Sequence, residues 1–295
     1  MTRAIHGPVA VLGLGAMGAG LAGRLLDQGM QVRVWNRTAE RTAPLAEAGA
    51  YAAAHPADAV AGTSVAICVV ADGEALGAVL HGPDGVLATG PYPGVLICAS
   101  TVGPEEVVQV AGDVPAVLDV GMLGNRDHAR DGELQLFVGG AERAFHTARP
   151  LLETLAKDVV HLGVLGSGMR MKLLLNLLMG IEVQAMAEAT ELAGACGLDR
   201  QLVLKTIAGS GFASPVMAFK SRRMASGRFE EPDFRLRLMA KDLMLASKQA
   251  AAVGLSLPLA TAAVETLVRA TEQGLGDQDC AAVIRALAPE SGTDR

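Results

Sequence analysis

Aromatic side chains are nearly missing from this sequence: Trp, Tyr and Phe make up 3% of 295 residues, with one Trp and two Tyr. Single-strand nucleic-acid binding relies on aromatic stacking platforms, so that mode is not expected. A basic excess is missing as well. Lys and Arg number 25 against 31 Asp and Glu, a formal net charge of −6, whereas nucleic-acid modules carry a basic face; no nucleic-acid partner is expected. The four cysteines, Cys68, Cys98, Cys196 and Cys280, form no C-x-x-C pair. The six histidines, His6, His55, His81, His128, His146 and His161, form no H-x-x-x-H pair, so no metal is expected. Cys68 and Cys98 lie in apolar runs and read as core thiols of a reducing compartment. No apolar run reads as a membrane span, because Leu173–Ala187 is broken by Asn176, Glu182 and Gln184. Met1-Thr2-Arg3 ahead of Pro8–Leu14 imitates a signal peptide. A glycine pattern described below explains those residues better, and the cytoplasm is the expected location.

What the chain does have is apolar mass: AVILMFWYC residues are 51%, with 35 Gly and no Gly-X-Y period. Its length predicts about two domains. Val9–Leu12, Gln31–Trp35, Ser64–Val70, Val95–Cys98 and Ala116–Leu118 read as strands. Met17–Gln28, Thr38–Ala48, Gly73–Leu80 and Glu105–Val110 read as helices between them. Strands separated by helices imply β-α-β units and a buried parallel sheet, whose strands lack strict polar alternation. Beyond residue 165 no strand is convincing. Met169–Ala195, Arg200–Ile207, Phe234–Ala252, Leu259–Glu272 and Asp277–Leu287 read as helices, and the tail Ser291–Arg295 as a polar end. The predicted class is α/β: a Rossmann-type doubly wound parallel-sheet domain over 1–164, then an all-α domain over 165–295, joined by a long interdomain helix.

Gly13-Leu14-Gly15-Ala16-Met17-Gly18 closes the first strand and opens the first helix. In a G-x-G-x-x-G turn the first glycine permits the tight turn and the second admits a pyrophosphate. The third lets helix and strand pack closely, and the free N–H groups at the helix start face the phosphate charge. At the end of the second strand, where NAD-binding sequences carry an acid for the ribose 2′-OH, this chain reads Trp35-Asn36-Arg37-Thr38. A guanidinium with amide and hydroxyl neighbours suits a 2′-phosphate, so NADP(H) is the expected cofactor.

Lys172 and Asn176 are four residues apart on one helix face, among Met171, Leu173, Leu174, Leu175, Leu177 and Leu178. Apolar surroundings disfavour the charged amine and should bring it toward a value useful for proton transfer. Lys241-Asp242-Leu243 follows Phe229–Phe234 and, taken alone, is an ordinary ion pair.

These motifs, in this order, resemble the β-hydroxyacid dehydrogenase family, relatives of 6-phosphogluconate dehydrogenase that include 3-hydroxyisobutyrate dehydrogenases and glyoxylate/succinic semialdehyde reductases. The resemblance covers roughly residues 8–288. Gly13–Gly18 is similar to the family's G-L-G-x-M-G, and Trp35–Thr38 to its NADP-using members. Ser100-Thr101-Val102-Gly103-Pro104 resembles S-T-V-x-P, whose Thr lies near the nicotinamide. Gly166–Asn176 resembles G-x-G-x-x-x-K-x-x-N-N at Lys172 and Asn176, with Leu175 in place of the first Asn. Lys241–Leu243 resembles K-D-L, and Phe234 its preceding aromatic. One segment departs: where the family reads D-A-P-V-S-G-G, this chain has Asp119-Val120-Gly121-Met122-Leu123-Gly124-Asn125. Leu123 takes the place of the Ser that would hold a substrate carboxylate, and Asn125 that of a Gly. Either Asn125, Arg126 or backbone N–H groups replace that contact, or the substrate carries no carboxylate there. His128 reads as a solvated loop residue.

The resemblance implies hydride transfer between nicotinamide and a small carbonyl or hydroxy compound, in a cleft where the two domains meet, with the helical domain building a homodimer. Lys172 and Asn176 are the expected catalytic pair. Gly13, Leu14, Gly15, Ala16, Met17, Gly18, Asn36, Arg37, Thr38, Val70, Ala71, Thr101 and Lys241 are expected on the cofactor, and Leu123, Gly124, Asn125, Lys172 and Phe234 on the substrate. An NADPH-dependent imine reductase and a non-catalytic NADP-binding module are the alternatives.

Overall fold

The structure, a computed structural model, describes residues 7–110 and 112–287. His6, the Met1–Arg3 start and the tail Ser291–Arg295 lie outside the described residues. The chain divides into two compact units, Met1–Lys172 and Leu173–Arg295.

The first unit is built on eight strands: β1 (Val9–Leu12), β2 (Val32–Trp35), β3 (Tyr51–Ala52), β4 (Val65–Cys68), β5 (Val95–Cys98), β6 (Val117–Leu123), β7 (Leu134–Gly140) and β8 (Ala156–His161). Their order is β3-β2-β1-β4-β5-β6-β7-β8. Neighbours are parallel except for β6 and β7, which run antiparallel. Between them lie α1 (Ala16–Asp27), α2 (Ala43–Glu47), α3 (Pro56–Val60), α4 (Gly73–His81), α5 (Pro104–Val110), α6 (Arg126–Asp131) and α7 (Glu142–Leu155). Helix α8 (Ser167–Ala195) begins in this unit and runs on into the second.

The strand period of two sorts the apolar residues onto two faces. Val9, Val11, Val65, Ile67, Leu118, Val120 and Met122 join one core with Leu21 and Leu25 of α1 and with Leu151 and Leu152 of α7. Ala10, Leu12, Ala66, Cys68, Leu96, Cys98 and Val117 join the other with Leu76 and Leu80 of α4, Val107 of α5 and Met169 of α8. Helices cover both faces, so the sheet is doubly wound, as the sequence predicts. At roughly 1.5–3 kcal/mol for each fully buried aliphatic side chain, these two cores supply most of the drive to fold.

Several elements differ from expectation. The predicted helix Thr38–Ala48 is a tight 3-10 turn at Ala39–Thr42 followed by α2, because Pro44 sits in the first turn of a new helix. The strand expected over Ala116–Leu118 runs on to Leu123. Strands β3, β7 and β8 and helices α3, α6 and α7 were not foreseen in sequence.

The second unit holds the rest of α8 with α9 (Arg200–Ala208), α10 (Pro215–Ser226), α11 (Leu236–Ala252), α12 (Pro258–Ala270) and a 3-10 segment at Cys280–Ala286. Its core gathers Val183, Met186, Phe229, Leu236, Leu243, Leu267 and Val283. The helix expected from Phe234 starts only at Leu236, and α10 was unforeseen. By length and composition alone, α8 could cross a bilayer. Within it, Asn176 donates to Asp242 and Glu182 accepts from Ser214.

Candidate active site

The carboxyl ends of the parallel strands all reach the same edge of the sheet, where open α/β folds bind ligands. At β1 the chain turns at Gly13, whose φ is +97° and whose missing Cβ leaves room for the Val69 carbonyl. A Cβ at Gly18 would overlap the Gly13 carbonyl. Gly15 is different: nothing lies within 4 Å of where its Cβ would be. Gly15 is also the N-cap of α1, with no side-chain cap and no acid in the first turn. The unsatisfied N–H groups of that turn therefore face open space, which fits a pyrophosphate. Gly13→Ala and Gly18→Ala are expected to lower the Tm, while Gly15→Val leaves the Tm near wild type and weakens dinucleotide binding. Thermal melts with and without cofactor separate the two effects.

Asn36 holds this turn from the neighbouring strand. Its Oδ1 accepts the Leu14 N–H at 2.9 Å, and its Nδ2 donates to the Thr38 carbonyl at 2.9 Å. Both ends of the amide are thus used to brace the loop. Arg37 and Thr38 are exposed beside it, and Arg37 joins no ion pair among the described residues.

Further along the edge, Ser100 is buried at the end of β5; its Oγ accepts the Val70 N–H at 2.7 Å and donates to the Cys68 carbonyl at 3.3 Å. That link fixes the segments carrying Val70, Ala71 and Thr101. Burial pushes the Cys68 thiol up to about 12, and burial with the neighbouring Cys68 and Asp119 raises Cys98 well above the usual thiol range. Both stay protonated and unreactive.

At β6 the edge carries a buried carboxylate. Asp119 accepts the Gly166 N–H at 2.7 Å and the Met169 N–H at 2.6 Å, fixing the start of α8. Burial raises its pKa; these backbone N–H bonds and the charge of Arg170 only partly offset that. Three glycines make the space. A Cβ at Gly139 would overlap the Asp119 carboxylate, one at Gly168 would meet the Asp119 carbonyl at 2.6 Å, and one at Gly121 would meet the Gly168 carbonyl at 2.5 Å. The Gly121 position also lies 3.0 Å from Cβ of Lys172. Lys172 is half-buried, set against the carboxyl-end half of β6.

One turn on, Asn176 is only 2% exposed and its Nδ2 donates to Asp242 Oδ2 at 2.6 Å. The other oxygen of Asp242 lies 3.2 Å from the Lys241 ammonium. Phe234 is half-buried ahead of α11, its N–H 3.4 Å from Asp279 Oδ2. Leu123 ends β6 half-exposed. Gly124 then turns at φ +141°, and Asn125 caps α6. Among the described residues no group of three or more His, Cys, Asp and Glu could hold a metal.

The roles of Asp119, Ser100 and Asp242 were not foreseen from sequence. An acid inside the apolar run Val117–Met122 is the signal that could have revealed Asp119.

A doubly wound sheet with a glycine turn and an uncapped helix at its carboxyl edge defines a dinucleotide-binding protein. Residues 8–163 match the NAD-binding domain of 6-phosphogluconate dehydrogenase, and residues 166–287 match the NAD-binding domain of NADP-dependent 3-hydroxyisobutyrate dehydrogenase. The chain belongs to the β-hydroxyacid dehydrogenase family, among whose members are NAD(P)-dependent oxidoreductases acting on CH–OH donors. Glyoxylate/succinic semialdehyde reductase 1 of Arabidopsis thaliana is 31% identical over 283 residues, covering 95% of this chain and 98% of that protein. Cytokine-like nuclear factor N-PAC of Xenopus tropicalis is 33% identical over 94% of this chain, and the match spans about half, 53%, of N-PAC. The crystal structure of 3-hydroxyisobutyrate dehydrogenase from Salmonella typhimurium superposes with a TM-score of 0.87 at 26% identity, covering 94% of this chain and 99% of that one.

Proposed function

We propose that this protein is an NADP(H)-dependent oxidoreductase that interconverts a small carbonyl compound and its alcohol, with Lys172 as the general acid and base. One observation carries the reading: Lys172 is anchored against β6 at the same sheet edge as the glycine turn. From β1 across β4 and β5 to β6 is three strand spacings, roughly 14 Å, a span that suits a dinucleotide reaching from its pyrophosphate to its reactive ring.

Gly13, Gly15 and the first turn of α1 would hold the pyrophosphate, Arg37 and Thr38 the 2′-phosphate, and Val70, Ala71 and Thr101 the segment toward the nicotinamide. Bound NADPH supplies the hydride. Lys172 gives its proton to the carbonyl oxygen during reduction and takes the hydroxyl proton during oxidation. Asn176 has one amide N–H committed to Asp242, and its second N–H holds the reacting oxygen. Lys241, beside Asp242, adds positive charge toward an anionic group of the cofactor.

Nucleotide choice rests on Arg37. Hydrogen bonds to charged groups are worth about 1.5–3 kcal/mol, roughly ten- to hundredfold in affinity. Arg37→Ala is therefore expected to raise the Kd for NADPH by about that factor and to leave NADH nearly unchanged. Equal effects on the two nucleotides would remove Arg37 from phosphate recognition. The reaction itself is tested by NADPH oxidation over small aldehydes, keto acids and cyclic imines, with NADH as control. Turnover of imines alone would favour the reductase of C=N bonds, and tight NADPH binding without any turnover a non-catalytic module.

A further inference from the structure

The sheet register shows which side chains surround Lys172 in the first unit. On β6, Leu118, Val120 and Met122 point into the core beneath α1 and α7, so Val117, Asp119, Gly121 and Leu123 face the start of α8. Leu123 is thus the next side chain that β6 presents on the Lys172 face beyond Gly121. Leu123 pairs with Gln135 of β7, and Gln135 with Asp158 of β8. Gly121 pairs with Phe137, and Phe137 with Val160. Paired residues share a face. The wall beside Lys172 is therefore an aliphatic side chain, an aromatic ring, a neutral amide and, farther out, a second aliphatic side chain and an acid.

Directly after β6, Asn125 is committed to its own turn. Asn125 Oδ1 accepts the N–H groups of Asp127 at 3.1 Å and His128 at 3.0 Å, and its own N–H donates to His128 Nδ1 at 3.1 Å. Arg126 follows with a half-exposed side chain, its Nε 3.7 Å from Asp127 Oδ1. Asn125 and its backbone are spent on capping α6. A carboxylate placed against this wall would lose water with no cation from the β6–β8 side chains in exchange, while an alkyl group would be covered by Leu123.

We infer that Leu123 determines specificity and that the substrate presents an uncharged, apolar group to the β6–β8 wall, making the substrate class small aliphatic or aryl aldehydes and ketones rather than carboxylate-bearing ones. This inference rests on the reading of Lys172 as the proton-transfer group.

The test compares two aldehydes of nearly equal shape, 4-oxobutanoate (succinic semialdehyde) and 4-methylpentanal, whose isopropyl group replaces the carboxylate. Wild-type kcat/KM with NADPH is expected to favour 4-methylpentanal by at least about tenfold, the effect of some 1.4 kcal/mol. Leu123→Arg should narrow or invert that ratio chiefly through KM, and Leu123→Ser, the milder change, should move it in the same direction. Leu123 is 37% exposed, so neither variant is expected to disturb the fold, which the Tm checks. A wild-type preference for 4-oxobutanoate, or a ratio unmoved in both variants, overturns the inference and leaves the oxidoreductase reading intact. If neither aldehyde is turned over, the inference is overturned, and the oxidoreductase reading falls with it only when the wider panel of carbonyl compounds and imines is inert as well.

Discussion

Lys172→Ala is expected to reduce kcat for carbonyl reduction by about 10²–10⁴, the range that a positioned acid or base contributes. At 1.36 kcal/mol per tenfold, that is roughly 3–5 kcal/mol of lost transition-state stabilisation. Little else should change. The close approach at β6 involves Cβ of residue 172 and the glycine at 121, and alanine keeps that Cβ. The start of α8 stays tied to Asp119 through Gly166 and Met169, so the helix keeps its place. The Kd for NADPH, measured by fluorescence titration, should therefore stay within about twofold, close to the spread for a substitution that leaves the fold in place. Lys172→Arg sharpens the point. Arginine keeps the positive charge but does not give up its proton near neutral pH, so substrate binding persists while turnover stays low. The basic or acidic limb of the kcat/KM profile that belongs to Lys172 should also vanish in both variants. A Lys172→Ala enzyme within tenfold of wild type would mean that the proton comes from elsewhere.

What made this lysine legible in the sequence was its helix spacing with Asn176 and its place in an ordered set of motifs. What was not legible is the reason it is held still. Gly121, Gly139 and Gly168 come from two strands and a helix, and only in the folded sheet do Gly139 and Gly168 meet at Asp119 and Gly121 at Gly168. No local pattern announces such a meeting. The strands of the parallel half were readable because they are short, continuous apolar runs buried on both faces: β1 and β5 match expectation residue for residue. On the far side of the sheet the signal weakens. β7 alternates buried and half-buried positions over Leu134–Phe137 before two glycines, and β8 is an edge strand with exposed Lys157 and Asp158, so neither is an apolar run. Helix α7 hides behind an internal Pro150. Helix α10 was missed for another reason: two of its buried positions are Lys220 and Ser221, so its inward face does not read as apolar.

That buried lysine leads to the largest stability effect expected in the second unit. Lys220 is 4% exposed and Asp279 fully buried, and the lysine Nζ lies 2.8 Å from each carboxylate oxygen. Asp279 also accepts the N–H groups of Ala281 and Asp233, both at 3.0 Å, and Arg223 stands 3.7 Å away. The acid thereby joins the 3-10 segment, α10 and the backbone just ahead of α11, the helix that carries Lys241. Asp279→Ala would leave a buried ammonium without its counter-charge and several N–H groups without an acceptor. The cost of breaking such a pair is about 3–5 kcal/mol, a large part of a domain's total stability. Replacing both partners, as Lys220→Met with Asp279→Leu, should recover much of that loss, because no unpaired charge remains. Acid should act on the same contact. Burial alone would raise the Asp279 pKa, but the Lys220 charge, its hydrogen bonds and the backbone N–H groups bring the net value below the usual 3.8. The folded state therefore favours the ionised acid. Its contribution is complete above the unfolded carboxylate pKa and drains away as pH falls through the lower folded value. Urea unfolding of wild type should consequently weaken between about pH 5 and pH 2, and Asp279→Ala should show a shallower decline over that window. A variant that loses less than about 1 kcal/mol at pH 7, the level of an exposed ion pair, would show that solvent already reaches this carboxylate.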